Sequence, residues 1–408
     1  MKIWVEIDEA RLVENFRVLA GALAEGVETS ALLAVVKANA YGHGLAACVP
    51  ALVRAGAEWL GVSDTEEGAR IRELLGPAAQ PQVLVMSGMT GAPGEAESIV
   101  RHRLTPVVWE SWHLDALVEA LAGAARRRSE RVAVHVEVDT GMARQGVAPG
   151  ALLGALLQQI SKEPALELGG VLTHFASAEV THSAQTAVQQ EQFAAAMAQV
   201  EAAGLRPQWV HVGNSSYIDN GSEADSLAWA RMLAVRVGAR PMVRAGVGLY
   251  GYRLPLASES GPEAGSQPAG TVGLERVGAQ LRPVMAWKTR VIGLREVESG
   301  ATVGYNGIFV AQQASRLALL PVGYADGLRR ELSGSNLRAG GWVVIRGRRA
   351  PIVGRVSMNL TTVDVSGIEA VAVGDEVLLL GDGVTADDHA RLAGTIAYEI
   401  LCGVKTSA

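Results

Sequence analysis

From Asp8 to about Leu254 the sequence alternates eight short apolar runs with longer Ala/Leu/Glu-rich stretches, and that alternation leaves few folds open. The runs lie at 32–36, 59–62, 83–86, 105–108, 132–138, 170–173, 209–212 and 241–244. They are nearly continuous in apolar residues, as strands buried on both faces are. Stretches such as 148–160 and 184–203 separate them with helical composition. Eight such units fit a closed (β/α)₈ barrel better than an open sheet.

A chain of 408 residues with 49% hydrophobic content can bury one large core and a second smaller one. The character changes after Leu254. Residues 257–271 lack large apolar groups and read as a flexible linker. Beyond them, β-type runs at 284–294, 316–320, 342–345, 361–365 and 376–380 alternate with Gly-rich turns, which predicts a mostly antiparallel β domain. The expected division is a barrel over 8–254, a linker over 255–271 and a second domain over 272–408.

A net charge of -6 and a pI near 5.8 leave no electrostatic footprint for nucleic acid. The one dense basic cluster, Arg126 to Arg128, reads as a solvated helix end. Cys48 and Cys402 are too few for a disulfide framework, and the first ten residues lack the basic and apolar regions of a signal peptide. No apolar stretch reaches the roughly 18 residues a membrane span needs. A reducing cytoplasm is the expected setting, without nucleic acid, membrane or metal as partner.

Residues 34 to 44 read Ala-Val-Val-Lys-Ala-Asn-Ala-Tyr-Gly-His-Gly, so Lys37 ends an apolar β-type run. A lysine there loses water, which costs several kcal/mol unless the amine is neutralised, paired or made covalent. A lowered pKa frees the lone pair for Schiff-base chemistry with an aldehyde such as pyridoxal phosphate. A lysine snorkelling from a strand end is an equal reading of the run alone. The polar and backbone-permissive Asn39, Tyr41, Gly42, His43 and Gly44 break the tie, because a parallel α/β fold places its ligands directly after its strands. Other expected strand ends are polar too: Asp139 to Arg144, Thr173-His174, His211 to Ser216, and Arg244 before Ala245-Gly246-Val247-Gly248. Ser215 and the Gly246–Gly248 turn offer hydroxyl and backbone N–H donors that suit a phosphate dianion.

AVVKANAYGHG resembles the cofactor-lysine motif of bacterial alanine racemases, whose barrel is shared with the group III pyridoxal-phosphate decarboxylases. Similarity continues to Tyr398, near the C-terminus, and the resemblance implies that the first strand, Ile3 to Ile7, joins the second domain. The resemblance implies pyridoxal 5'-phosphate on Lys37, with Ser215, Gly246, Val247, Tyr41 and Tyr398 around its phosphate and Asn214 among the cofactor-binding residues. It sets Arg244 against the pyridine nitrogen. A permanently protonated arginine keeps that nitrogen bare and weakens the ring as an electron sink, favouring reprotonation at the same carbon over transamination. Arg144 is implied to meet the cofactor's phenolic oxygen and the substrate, and His174 to link Arg244 to a catalytic tyrosine.

Racemisation needs an acid/base group on each face of the α-carbon. Lys37 is implied as one and Tyr305, in Val303-Gly304-Tyr305-Asn306-Gly307, as the other. The family usually has Ser-Tyr-Gly here, so Gly304 and Asn306 are departures. A tyrosine with a solution pKa of about 10 needs help to act as a base, which the His174 and Arg244 relay could supply. In the family this tyrosine enters the partner's barrel, so a homodimer with shared sites is implied. Tyr324 matches a tyrosine at the substrate entrance and Met358 the residue whose N–H meets the substrate carboxylate. Asn359 stands beside it where many relatives have Asp.

Glu137 is a further departure. In 134–139 the alternation points His135, Glu137 and Asp139 toward the barrel interior. Several relatives carry a carbamylated lysine at 137 that faces the arginine equivalent to Arg144. Glutamate supplies that charge genetically on a side chain about three bonds shorter, reaching Arg144 through water or a shifted arginine. The alternative is a carboxylate paired with some other barrel group. The implied activity is interconversion of L- and D-alanine, supplying D-alanine for peptidoglycan precursors. A broader amino-acid racemase acting on serine, a cofactor-binding protein without turnover and a decarboxylase are the rivals.

Overall fold

The computed structural model describes residues 2–24, 29–76, 81–123, 131–221, 224–258 and 275–406. Eight parallel strands close a barrel in chain order: Ala31–Val35, Trp59–Val62, Gln82–Val85, Thr105–Val108, Val132–Glu137, Leu166–Leu172, Trp209–His211 and Arg240–Ala245. The last pairs with the first, Arg244 opposite Leu33, and closes the ring. Helices cover the outside, so these strands are buried on both faces; every residue of Trp59–Val62 and Thr105–Val108 is buried. The helix expected over 148–160 is observed as Ala151–Lys162, because Gly150 at φ +97 holds the chain outside helical space.

The larger sheets outside the barrel are antiparallel. A five-stranded sheet runs in the order Ile3–Ile7, Met285–Arg290, Glu376–Leu380, Trp342–Ile345, Arg348–Pro351. A three-stranded sheet joins Gly293–Val297, Ser315–Leu320 and Thr361–Asp364. The run at 284–294, expected as one strand, is two strands in different sheets. The switch lies at Val291 and Ile292, whose N–H groups donate to Asp375 and to Leu319 respectively while Val291 is buried. Two helices, Ala386–Ala393 and Ala397–Gly403, close the chain. A capping box between Thr385 and Asp388 starts the first of them.

The expected linker does not begin as irregular chain. Ala257–Ser258 pairs in parallel with Val180–Thr181, and the Thr181 hydroxyl donates to the Ala257 carbonyl at 3.2 Å. The remainder of that linker and the cluster Arg126 to Arg128 lie outside the described residues.

Gly251 ends the 3₁₀ turn Val247–Tyr250 at φ +87, and a Cβ there would land on the Arg282 carbonyl. Gly251→Ala is therefore expected to cost about 2–4 kcal/mol from overpacking and left-handed strain together. Chemical denaturation checks this, and a wild-type midpoint would show that the contact can relax freely.

Candidate active site

After Ala31–Val35 the chain turns through Val36 and Lys37 into four consecutive left-handed residues, Ala38, Asn39, Ala40 and Tyr41, at φ 53, 54, 56 and 52. Each such residue with a Cβ costs roughly 1–2 kcal/mol relative to right-handed backbone, so the turn must be held from outside. Glu67 holds it: its carboxylate accepts from the Asn39 N–H at 2.8 Å and the Ser63 N–H at 3.0 Å. The Asn39 side chain accepts from the Leu45 N–H at 3.0 Å, and the Tyr250 hydroxyl donates to the Val35 carbonyl at 3.1 Å. Lys37, half-buried, projects from the start of this turn. Burial lowers its pKa first and the charge of Arg144 next; Cys402 opposes them, Arg244 lowers it further, and Glu67 opposes least.

At the same barrel mouth Asn214 caps a short helix, accepting from the Tyr217 N–H at 3.1 Å. The next residue, Ser215, accepts from the N–H groups of Gly246 at 3.0 Å and Gly248 at 3.1 Å. The Tyr41 hydroxyl lies against Gly246 so closely that a Cβ would collide with it. Tyr398, from the last helix, packs on Tyr41 with ring centroids 5.9 Å apart. Burial raises both phenol pKa values, so both remain donors. Val247 is buried within the loop. Backbone N–H and neutral hydroxyl groups thus converge without a lysine.

Arg244 stands at the end of the last barrel strand, 5% exposed. It donates to the Thr173 carbonyl at 2.8 Å and the His211 carbonyl at 3.1 Å, and faces His174 Nδ1 at 3.1 Å. Burial pulls its pKa down to about 10, which still leaves it charged at neutral pH. Burial, then Arg244, Arg144 and Lys37, pulls His174 down to about 3, so this imidazole is neutral. A guanidinium has no lone pair to offer, so the Nδ1 facing it accepts and the His174 hydrogen sits on Nε2, pointing away from Arg244.

Glu137 does not orient Arg144 directly. Gln145 takes the carboxylate instead, donating to Glu137 Oε2 at 2.5 Å and to the Met86 carbonyl at 2.9 Å. Burial raises the Glu137 pKa, opposed first by the hydrogen bond from Gln145 and then by the charges of Arg244 and Arg144. Arg144 is exposed, and its loop is shaped by Asp139, whose Oδ1 accepts from the N–H groups of Gly141, Met142 and Ala143 at 2.9–3.1 Å. Gln145 and Glu67 are thus site-shaping residues that sequence reasoning missed. Gln145 follows Arg144 directly, and Glu67 follows the helix cap Asp64 by three residues, so both had local signals.

A second group sits apart, on the antiparallel region. Tyr305 is 64% exposed, Met358 56% and Tyr324 44%. Among the described residues no hydrogen bond or ring contact joins them to Lys37, His174 or Arg244. The departures Gly304 and Asn306 have a conformational reason: Gly304 lies at φ 72, ψ -168, a region open essentially to glycine alone, and Asn306 at φ 61, ψ 10, which asparagine adopts readily. Backbone bonds from Tyr324 N–H to Ser357 and from Ala325 N–H to Met358 tie the Tyr324 and Met358 loops together. Asn359 Nδ2 donates to Asp326 Oδ2 at 3.4 Å, where an aspartate would set a second carboxylate against Asp326.

Residues 7–254 match the family model for the alanine racemase N-terminal domain and residues 284–408 the one for the C-terminal domain. The alanine racemase of Syntrophobacter fumaroxidans is 36% identical over 98% of this chain and 95% of its own length. That of Symbiobacterium thermophilum is 35% identical over 98% and 94%. Among solved structures, the alanine racemase of Streptomyces coelicolor superposes with a TM-score of 0.81 at 29% identity, covering 99% of this chain and 96% of that one. The alanine racemase of Bartonella henselae, with covalently bound pyridoxal phosphate, superposes with a TM-score of 0.77 at 26% identity over 100% and 98%. A closed barrel with its lysine turn and donor cradle, followed by an antiparallel region, both matched over nearly their whole length, place this chain in the alanine racemase family of isomerases.

Proposed function

We propose that this chain interconverts L- and D-alanine with pyridoxal 5'-phosphate held covalently by Lys37, and that two copies share the active sites. One observation carries the reading: a desolvated lysine, a donor cradle and a buried arginine share one barrel mouth. The donor set fits the cofactor. Ser215, Gly246, Val247 and the phenols of Tyr41 and Tyr398 would hold the phosphate, Asn214 fixes the Ser215 helix, and Arg244 would face the ring nitrogen. When bound, that cofactor withdraws electrons from the amino acid's α-carbon so that its proton becomes acidic.

Lys37, with its amine pKa lowered, takes or returns that proton on one face. Tyr305 of the second copy does so on the other face, and the Nε2 hydrogen of His174 would stabilise its phenolate oxygen. Arg144, Met358 and Tyr324 would bind and admit the substrate carboxylate, with neutral Asn359 beside them. The exposure of Tyr305, Tyr324 and Met358 on a single chain supports a partner that covers them. Division of labour follows the proposed domains: 8–254 supplies Lys37 and most of the cofactor contacts, while 272–408 with strand 1–7 supplies Tyr398 and Tyr305, joined through 255–271. The free thiols Cys48 and Cys402 suit a reducing cytoplasm, and among the described residues no helix is long and apolar enough to cross a membrane.

Borohydride reduction followed by peptide mapping is expected to fix a pyridoxyl group on the peptide containing Lys37. A label on Lys162 or Lys288 would end the reading. Conversion of a panel of L-amino acids should be fastest with alanine, and faster turnover of serine would replace alanine racemisation with a broader specificity.

A further inference from the structure

Two buried imidazoles lie beneath Arg244, in the barrel interior, and the reaction proposed above leaves them without a task. His211 Nδ1 faces Arg244 Nη1 at 3.3 Å, and His211 Nε2 lies 2.9 Å from His135 Nδ1. Hydrogen positions follow from donor inventory alone. The guanidinium only donates, so His211 Nδ1 is bare. A neutral His211 then carries its hydrogen on Nε2 and donates it to His135 Nδ1, which leaves the His135 hydrogen on Nε2. That atom has no partner among the described residues, and the His135 ring lines a cavity with Trp59, Gln82, Thr105 and Gln208.

The barrel is built around this ring at some cost to itself. Opposite His135 the strand Leu166–Leu172 carries one extra residue: Val134 pairs with Leu168 but His135 with Gly170, so Gly169 is a bulge. A Cβ on Gly170 would lie 2.7 Å from His135 Nδ1, and one on Gly169 3.2 Å from His135 Cδ2. Two adjacent glycines weaken a strand, and a leucine or phenylalanine at 135 would fill the core without burying a polar ring. His135 is 1% exposed and His211 0%.

We infer that His135 is a positioning residue for racemisation: it accepts the His211 Nε2 hydrogen and thereby keeps His211 Nδ1 bare and turned toward Arg244, fixing the guanidinium against the cofactor ring. The inference rests on the proposed placement of the cofactor at Arg244. Its structural half, the order of hydrogens along the chain, does not.

The test uses holoprotein labelled with ¹⁵N in the histidine rings, with His211 assigned by its absence from a His211→Gln variant. In the native protein His211 Nδ1 is expected to resonate as an unprotonated and Nε2 as a protonated nitrogen. His135→Leu, which removes the acceptor, should convert His211 to a mixture of tautomers and lower kcat about tenfold with KM within about twofold, the scale of an orienting partner. His135→Asn, whose amide oxygen can stand where Nδ1 was, should restore the single tautomer and most of kcat. A native His211 protonated on Nδ1 overturns the inference. So does a loss of kcat in His135→Leu with the His211 tautomer unchanged, or a failure of His135→Asn to restore either readout. If His135→Leu does not fold, the native spectrum and His135→Asn decide alone. Absence of the borohydride label on Lys37 would instead mark failure of the cofactor assignment, with the His211 tautomer still readable.

Discussion

Lys37→Ala is expected to lower racemisation of alanine by at least about 10⁴-fold in both directions. A positioned general base contributes roughly 10²–10⁴-fold, and this substitution also removes the covalent anchor. Arg244 cannot replace it, because its buried guanidinium stays charged at neutral pH and has no lone pair with which to take a proton. The proposed phosphate cradle does not depend on Lys37, since Gly246 and Gly248 bond Ser215. The variant should therefore still bind the cofactor reversibly, while borohydride leaves no label. Interconversion within tenfold of wild type, measured from either enantiomer, would exclude Lys37 from the chemistry.

Tyr305→Phe is expected to keep the colour and the covalent label yet lose about 10²–10⁴-fold in racemisation, the range of one general acid/base. Loss of α-deuterium exchange should be greater with L-alanine, because only that face depends on the phenol. The phenol is exposed on its own chain, so its loss should be mendable from another one. Mixing inactive Lys37→Ala with inactive Tyr305→Phe under subunit exchange should restore activity in the one composite site that draws both native groups. Failure to complement, with exchange verified by mass spectrometry, would count against a shared site.

The barrel was legible because its strands are buried on both faces and so write themselves as unbroken apolar runs; Trp59–Val62 and Thr105–Val108 match the sequence reading to the residue. Strand ends carried the candidate residues Lys37, Ser215 and Arg244 for the same topological reason. The turn that presents Lys37 was not legible. Ala38, Asn39, Ala40 and Tyr41 include no glycine, and what holds them left-handed is Glu67, 28 residues downstream of Asn39. Alternation gave Glu137 its inward face, and the resemblance gave it Arg144 through water or a shifted arginine; neither names a partner, and Gln145 lay nearer. The pair of strands inside 284–294 was hidden because the β-branched Val291 and Ile292 read as more of the same strand, so no turn residue marks the change of sheet before it occurs. The Thr385–Asp388 cap, by contrast, was a readable helix start that went unread.

The pairing of Ile3–Ile7 with Met285–Arg290 sets an order of events during synthesis. This strand is made about 280 residues before its partner, roughly 14–56 s earlier at common ribosome speeds. Through that interval it is an unpaired edge, short and bearing Glu6, features that discourage association with other nascent chains. The barrel units beside it in sequence can condense as they emerge, whereas this segment waits and then ties the first residues to the last domain. Extensions or deletions at residues 1–7 should accordingly disturb the antiparallel region, far along the chain, before they disturb the adjoining barrel.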